Sequence, residues 1–244
     1  MTINGGTVTI TAQTPIMNTN NYTKTGGTVT LNSTSGGGTV NVIYLDASGN
    51  SQSVDATPVT GSSLGTNGSV TWYVVNSDVE LTSALDIEGN VHLILADNKT
   101  LSVNANGNYA IYMNDNSSLT IYSQSLGQNM GKLVINYNYS ISIDANSLTI
   151  NGGDISVTTN DSGVYLAANG SMTINNGTVS LTGTVYGVSN EYGSLTITGG
   201  TVTIIAQTPI MNANNYTSNG GTVTLNSTSG GGTVNVSYLD ASGA

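Results

Sequence analysis

The chain has 244 residues, enough for one large domain or two small ones, and a formal net charge of -10 from 13 acids set against Lys24, Lys99 and Lys132. With no arginine, it offers neither nucleic acid nor an anionic membrane surface the basic cluster that each rewards. Zero cysteines exclude disulfides and thiolate metal sites, and no apolar run reaches the ~18 residues of a spanning helix, so membrane insertion is not expected. The 31 glycines with abundant Thr, Val, Ile and Tyr point to many short strands joined by tight corners, an all-β chain.

In chain order, the first strand signal is Ile3, followed by Thr7-Val8-Thr9-Ile10. Their period-two alternation puts Val8 and Ile10 on one face and the threonines on the other. The intervening Gly5-Gly6 suits a corner, because glycine accepts a positive φ. This opening recurs. Residues 1–49 and 195–243, at an offset of 194, share 42 of 49 residues and differ only at positions 1, 4, 11, 19, 24, 25 and 43. Such identity predicts a window on a longer tandem array, with residues 1–49 as the closing coils of a preceding repeat copy. Residues 50–69, polar and containing Pro58, read as a linker or surface loop. Residues 70–244 read as one module that ends in the second copy of the closing coils.

That module opens with an alternation that nominates Val74, Val79, Leu81, Leu85, Ile87, Val91, Leu93 and Leu95 as inward residues. Trp72 would cap its first turn, and His92 would stand on the polar face as a surface or cross-strand histidine. Further on, one unit repeats: "SLTINGGDISV" from Ser147, "SMTINNGTVSL" from Ser171 and "SLTITGGTVTI" from Ser194. Third apolar pieces complete the coils at Tyr109–Met113, Gly163–Ala167 and Tyr186–Ser189. Three strands and three corners in a period of roughly 20 to 25 residues predict a parallel β-helix, a β-solenoid. The handedness rule for crossovers makes it right-handed. At about 4.8 Å per coil, a period of about nine coils would rise roughly 40 Å.

The stretches "WYVVNSDVELTSALDIEGNVHLILADNKTLSV" and "NSSLTIYSQSLGQNMGKLVI", followed by the serial "SLTINGG" units, resemble the right-handed β-helix repeat regions of very large secreted or cell-surface proteins of anaerobic bacteria. The resemblance covers residues 70–243 and, through the duplicate, the first 49. It implies export, a β-solenoid and a scaffolding or adhesive role, and it transfers no site residues.

Chemistry is sparse. Polysaccharide-cleaving β-helices need paired carboxylates, or carboxylates with Ca2+ beside a strong base. Here Asp78 with Glu80 and Asp86 with Glu88 are the nearest pairs and read as solvated strand surface, so no catalytic residue and no cofactor is expected. Asp154 in "GGDISV" is only faintly like a calcium-binding repeat, which leaves structural Ca2+ as a minor expectation. Outward Thr-x-Thr columns read as ordinary strand surface.

Two functional expectations follow. The first is an extracellular structural module that forms a fibre, stalk or filament by head-to-tail stacking with other copies of itself, through Ile3, Val8 and Ile10 at one end and Leu225, Val234 and Val236 at the other. The second is a carbohydrate-binding adhesin that contacts polysaccharide through Tyr112, Tyr122, Tyr137 and Tyr139, whose flat rings suit sugar faces.

Overall fold

A computed structural model describes residues 2–12, 23–26, 28–33, 38–139, 141–229 and 236–238. It is a β-solenoid of about 7 turns built from parallel strands. Among the described residues the one helical piece is the 3-10 turn Ala213–Asn215, and no helix is long and apolar enough to cross a membrane.

Each coil carries three strands, as in Thr100–Val103, Ile111–Met113 and Ser118–Ser123. Successive coils align like on like. On the threonine-rich side, Val79, Leu101, Leu133, Ile155, Val179, Val202 and Val223 form one parallel ladder. Leu85, Ile111, Ile143, Val164, Val188 and Ile210 form a second, on the side that also carries several tyrosines. The Ser-Leu-Thr-Ile strands supply the third: Val91, Leu119, Leu148, Met172, Leu195 and Tyr216. These ladders merge into one core, fully buried along most of its length and only partly so at Val79, Ile210, Tyr216 and Leu225 near its ends. Each enclosed aliphatic side chain contributes roughly 1.5 to 3 kcal/mol.

Glycine is required where corners stack. Gly177 and Gly200 have φ of 93° and 80°, and a Cβ on Gly200 would sit 2.7 Å from the carbonyl oxygen of Gly177 in the coil before it. Beside them runs a polar ladder. The Asn175 amide donates to Asn151 Oδ1 at 2.8 Å, and the Thr198 hydroxyl donates to Asn175 Oδ1 at 2.7 Å.

Residues 50–69 are largely strand instead of a linker or loop. Ser51–Pro58 pairs antiparallel with Val40–Leu45, and Ser63–Val75 joins the parallel stack with Val74 opposite Ile94. The hairpin 40–58 lies on the outside of the solenoid. There Val40, Val42 and Ala56 enclose Val74, Ile94, Ala96 and Tyr122, with Tyr44, Val54 and Trp72 at the margin. Val74 is therefore buried under the hairpin and not in the central core. Trp72, expected as an end cap, belongs to the same outer cluster.

In the first copy two pairs of described strands stack in parallel. Thr2 to Ile3 pairs with Thr23 to Lys24, and Thr7 through Ala12 with Thr28 through Ser33. The register is that of Thr196 with Thr217 and of Thr201 through Ala206 with Thr222 through Ser227, shifted by 194 throughout.

If the ladders carry the stability, Leu133→Ala in mid-stack should lower the unfolding free energy by roughly 2 to 5 kcal/mol. Thr201→Ala, outward on the same sheet, should stay within about 0.5 kcal/mol. Urea titration of both variants makes the comparison, and equal effects would contradict it.

Candidate functional site

The coil edges are the first candidate. Val8 and Ile10 are half-buried, whereas their twins Val202 and Ile204 are fully buried because Val179 and Leu181 of the preceding coil lie opposite them. Among the described residues, strand 7–12 pairs with 28–33 alone, whereas 201–206 is paired on both sides. Ile3 is already enclosed at 6% exposure. At the other end, Leu225 packs against the core margin. Val236 stands opposite Leu225 in the short strand 236–238, which runs antiparallel to 222–227 and does not continue the parallel stack. Val234 lies outside the described residues.

The two copies share the backbone bond at this corner and differ in its side chains. Thr25 Oγ1 donates to Asn4 Oδ1 at 2.7 Å, and these are two of the seven differing positions. Their counterparts are Asn219 and Thr198, the same two residue types exchanged between the partners. The neighbouring backbone bonds match as well: Thr25 N to Ile3 O at 2.9 Å and Asn219 N to Ile197 O at 2.8 Å.

The tyrosines divide. Tyr137 is inside the core at 1% exposure, its hydroxyl donating to the Gly107 carbonyl, and Tyr122 is 8% exposed beneath the hairpin. Neither can meet a sugar: Tyr137 shares the inward side of its strand with Leu133 and Ile135, and Tyr122 points outward but is covered by the hairpin. Tyr112 and Tyr139 do reach solvent. Tyr112 stacks on Tyr109 with centroids 5.3 Å apart, and Tyr139 leans on Tyr137 at 5.4 Å. Register adds partners that spacing along the chain hid: Asp86, Tyr112, Asp144 and Tyr165 are consecutive rungs on the outer face.

Most other carboxylates act as staples between or within coils. Asp78 Oδ1 accepts from Thr100 N at 2.9 Å, and Glu80 Oε1 accepts from the Asn104 amide at 3.1 Å. Asp154 pairs with Lys132 at 3.1 Å. Asp46 closes the hairpin turn, and the Asn50 N–H that it accepts is the main cause holding its carboxyl below the usual range. Among the described residues no group of three or more His, Cys, Asp or Glu comes together.

His92 is a cross-strand residue after all, but a covered one. Its ring stacks on Trp72 at 4.3 Å and 14°, and Nδ1 lies 3.0 Å from Tyr122 Oη. Burial pushes the Tyr122 hydroxyl up to about 12, so it stays protonated, and burial pushes the His92 imidazole down. Gln124 ties the hairpin to this cluster, its amide donating to Ile43 O at 3.2 Å.

The chain matches no family model, and neither a curated protein nor a solved structure matches it. What the sequence resemblance shares with the structure is the β-solenoid itself.

The lowered His92 pKa fixes a sign. Above about 6.5 the histidine is neutral in both folded and unfolded chains and costs nothing, and as pH falls below that value the unfolded chain takes up the proton first. Hairpin docking should therefore weaken on acidification from pH 7 to 5. Trp72 is the lone tryptophan and stacks on the lone histidine, so its fluorescence should follow this titration. A His92→Gln variant should flatten the curve, and an unchanged curve in that variant would refute the assignment.

Proposed function

We propose that this chain is a structural repeat module of an extracellular or cell-surface fibre, and that copies extend it by stacking coil on coil, head to tail. One observation carries the reading. Strand 201–206, the twin of 7–12, stacks on Thr178-Val179-Ser180-Leu181, and the final parallel strand begins Thr222-Val223-Thr224-Leu225. The last coil thus repeats the inward Val and Leu, and the outward threonine, of the coil on which that twin rests. Strand 7–12 of a second chain can follow it in the same register, Thr7 on Thr222, Val8 on Val223 and Ile10 on Leu225.

The resulting contact is heterologous and does not close, so it propagates as a line. It would place Val8 and Ile10 as deeply as Val202 and Ile204 and satisfy the backbone groups of the open 7–12 edge. Strand 236–238 occupies the far edge of 222–227 in antiparallel fashion and has to swing aside. A precedent exists within the chain: its counterpart in the first copy falls within Val40–Leu45, which pairs with Ser51–Pro58 instead. The role is scaffolding and not catalysis, in keeping with carboxylates spent on holding coils together.

Because the chain has no cysteine, register can be read by crosslinking. Thr9→Cys with Thr224→Cys should form intermolecular disulfide ladders under mild oxidation, since parallel neighbours lie about 4.8 Å apart. Thr9→Cys with Thr222→Cys, displaced by two residues, should not. Compact monomers at every concentration in sedimentation and electron microscopy, with no ladder from the in-register pair, would overturn the proposal.

A further inference from the structure

We infer a second surface on the same solenoid: a strip that binds a neutral polysaccharide, centred on Tyr112, Asp144 and Tyr165. It stands whether or not chains stack.

The strip is set by register. Asp86, Tyr112, Asp144 and Tyr165 occupy one position on four successive coils, so carboxylate and phenol alternate along the axis. Their neighbours in sequence, Leu85 and Ile87, Ile111 and Met113, Ile143 and Ala145, Val164 and Leu166, all lie in the core, which turns these four outward. Two further rings widen the strip. Tyr109 lies nearly parallel to Tyr112, at 20°, and its hydroxyl bonds to Asp144. Tyr192 is 62% exposed, bonds to Glu191, and lies near enough to Tyr165 for the two phenols to interact electrostatically.

The chemistry selects the occupant. Burial is the main influence on Asp144 and raises its pKa, Tyr109 partly offsets this, and no cation acts on it. Carboxylates without cations repel anionic polymers. A carboxylate also only accepts hydrogen bonds, so the ligand must be rich in donors, while the ring faces ask for flat C–H surface. A sugar ring offers both, with hydroxyls at its rim and C–H bonds on its faces.

Spacing argues for a polymer and against a peptide. Tyr112 and Tyr165 are two coils apart, about 10 Å, with an acceptor between them. An extended peptide presents side chains to one face every ~6.7 Å and drifts out of step. A polyproline helix repeats near 9.3 Å but presents carbonyl acceptors and few N–H donors, which a carboxylate cannot use. A polysaccharide laid along the axis repeats rings and hydroxyls together.

The test is affinity electrophoresis and pull-down of the full chain on neutral glucans, xylans and mannans, with polygalacturonate, polylysine and polyproline alongside. Retention on at least one neutral polysaccharide is expected, weakened roughly threefold to tenfold by Tyr165→Ala and by Tyr192→Ala. Thr201→Ala on the opposite sheet should leave it unchanged. Tyr192 is exposed, so its variant keeps the fold, and matched thermal melts verify this. Absence of retention on every neutral polysaccharide, retention indifferent to both tyrosine variants, or binding only to the charged or proline polymers would each overturn the inference. Sedimentation of the same samples scores stacking separately, so failure of one proposal is not read as failure of the other.

Discussion

Every feature of this molecule depends on the direct superposition of one coil on the next. Parallel strands fix the rise between coils at about 4.8 Å, so a side chain has as its main neighbours the residues at the same station one coil above and one below. Inside, that geometry favours columns of similar aliphatic residues, and Leu101 on Leu133 on Ile155 is one such column. At the corners it removes room for a Cβ, which is why Gly177 and Gly200 stack with positive φ. Outside, it lines up whatever the sequence supplies, whether threonines on one sheet or alternating acids and tyrosines on another.

The same constraint bears on the two near-identical copies. A substitution at a stacked corner is felt by the coil above or below. Asn4 with Thr25, against Thr198 with Asn219, holds the same two residue types in exchanged places, with the Thr198 hydroxyl donating to Asn175 of the coil before it. Thr11 against Ile205, by contrast, is a single difference without an exchanged partner, and nothing in the structure explains it.

Inward positions were legible from the alternation alone, because the strand period is two and the core excludes polar groups. Leu81, Leu85, Ile87, Val91, Leu93 and Leu95 all take the expected place, and the three-strand coil follows from the spacing of the repeat unit. Outward positions were harder. Val74, Trp72 and Tyr122 share the outer side of the wall, and their environment is decided by a hairpin from residues 40–58 that local pattern presented as a coil end and a linker. Sequence distance hid the exposed strip as well. Tyr112, Asp144 and Tyr165 become neighbours only once coil lengths are known, and the coil from Leu101 to Leu133 is longer than the others. Tyr137 was legible as inward, since it alternates with Leu133 and Ile135, and its hydroxyl donates to the Gly107 carbonyl, which lets a phenol sit in an otherwise aliphatic interior.

A solenoid held together by nearest neighbours has no natural length. Its interior coils are equivalent, and its limits are set wherever an edge ceases to offer a matching surface. The N-terminal edge here offers one: Val8 and Ile10 stand in the arrangement that Val202 and Ile204 adopt, differing in the coil that covers them. The C-terminal edge is instead met by a strand of opposite direction, with Leu225 facing Val236. An antiparallel strand satisfies the edge but cannot be followed by another coil in register, so the proposed stacking requires it to swing aside. The segment that contains this strand has a near-identical counterpart, Val40–Leu45, that pairs elsewhere. Under the proposed stacking, closing or extending the 222–227 edge rests on this one short strand, whose first-copy counterpart is also antiparallel but pairs with Ser51–Pro58 and carries Ile43 where this strand carries Ser237.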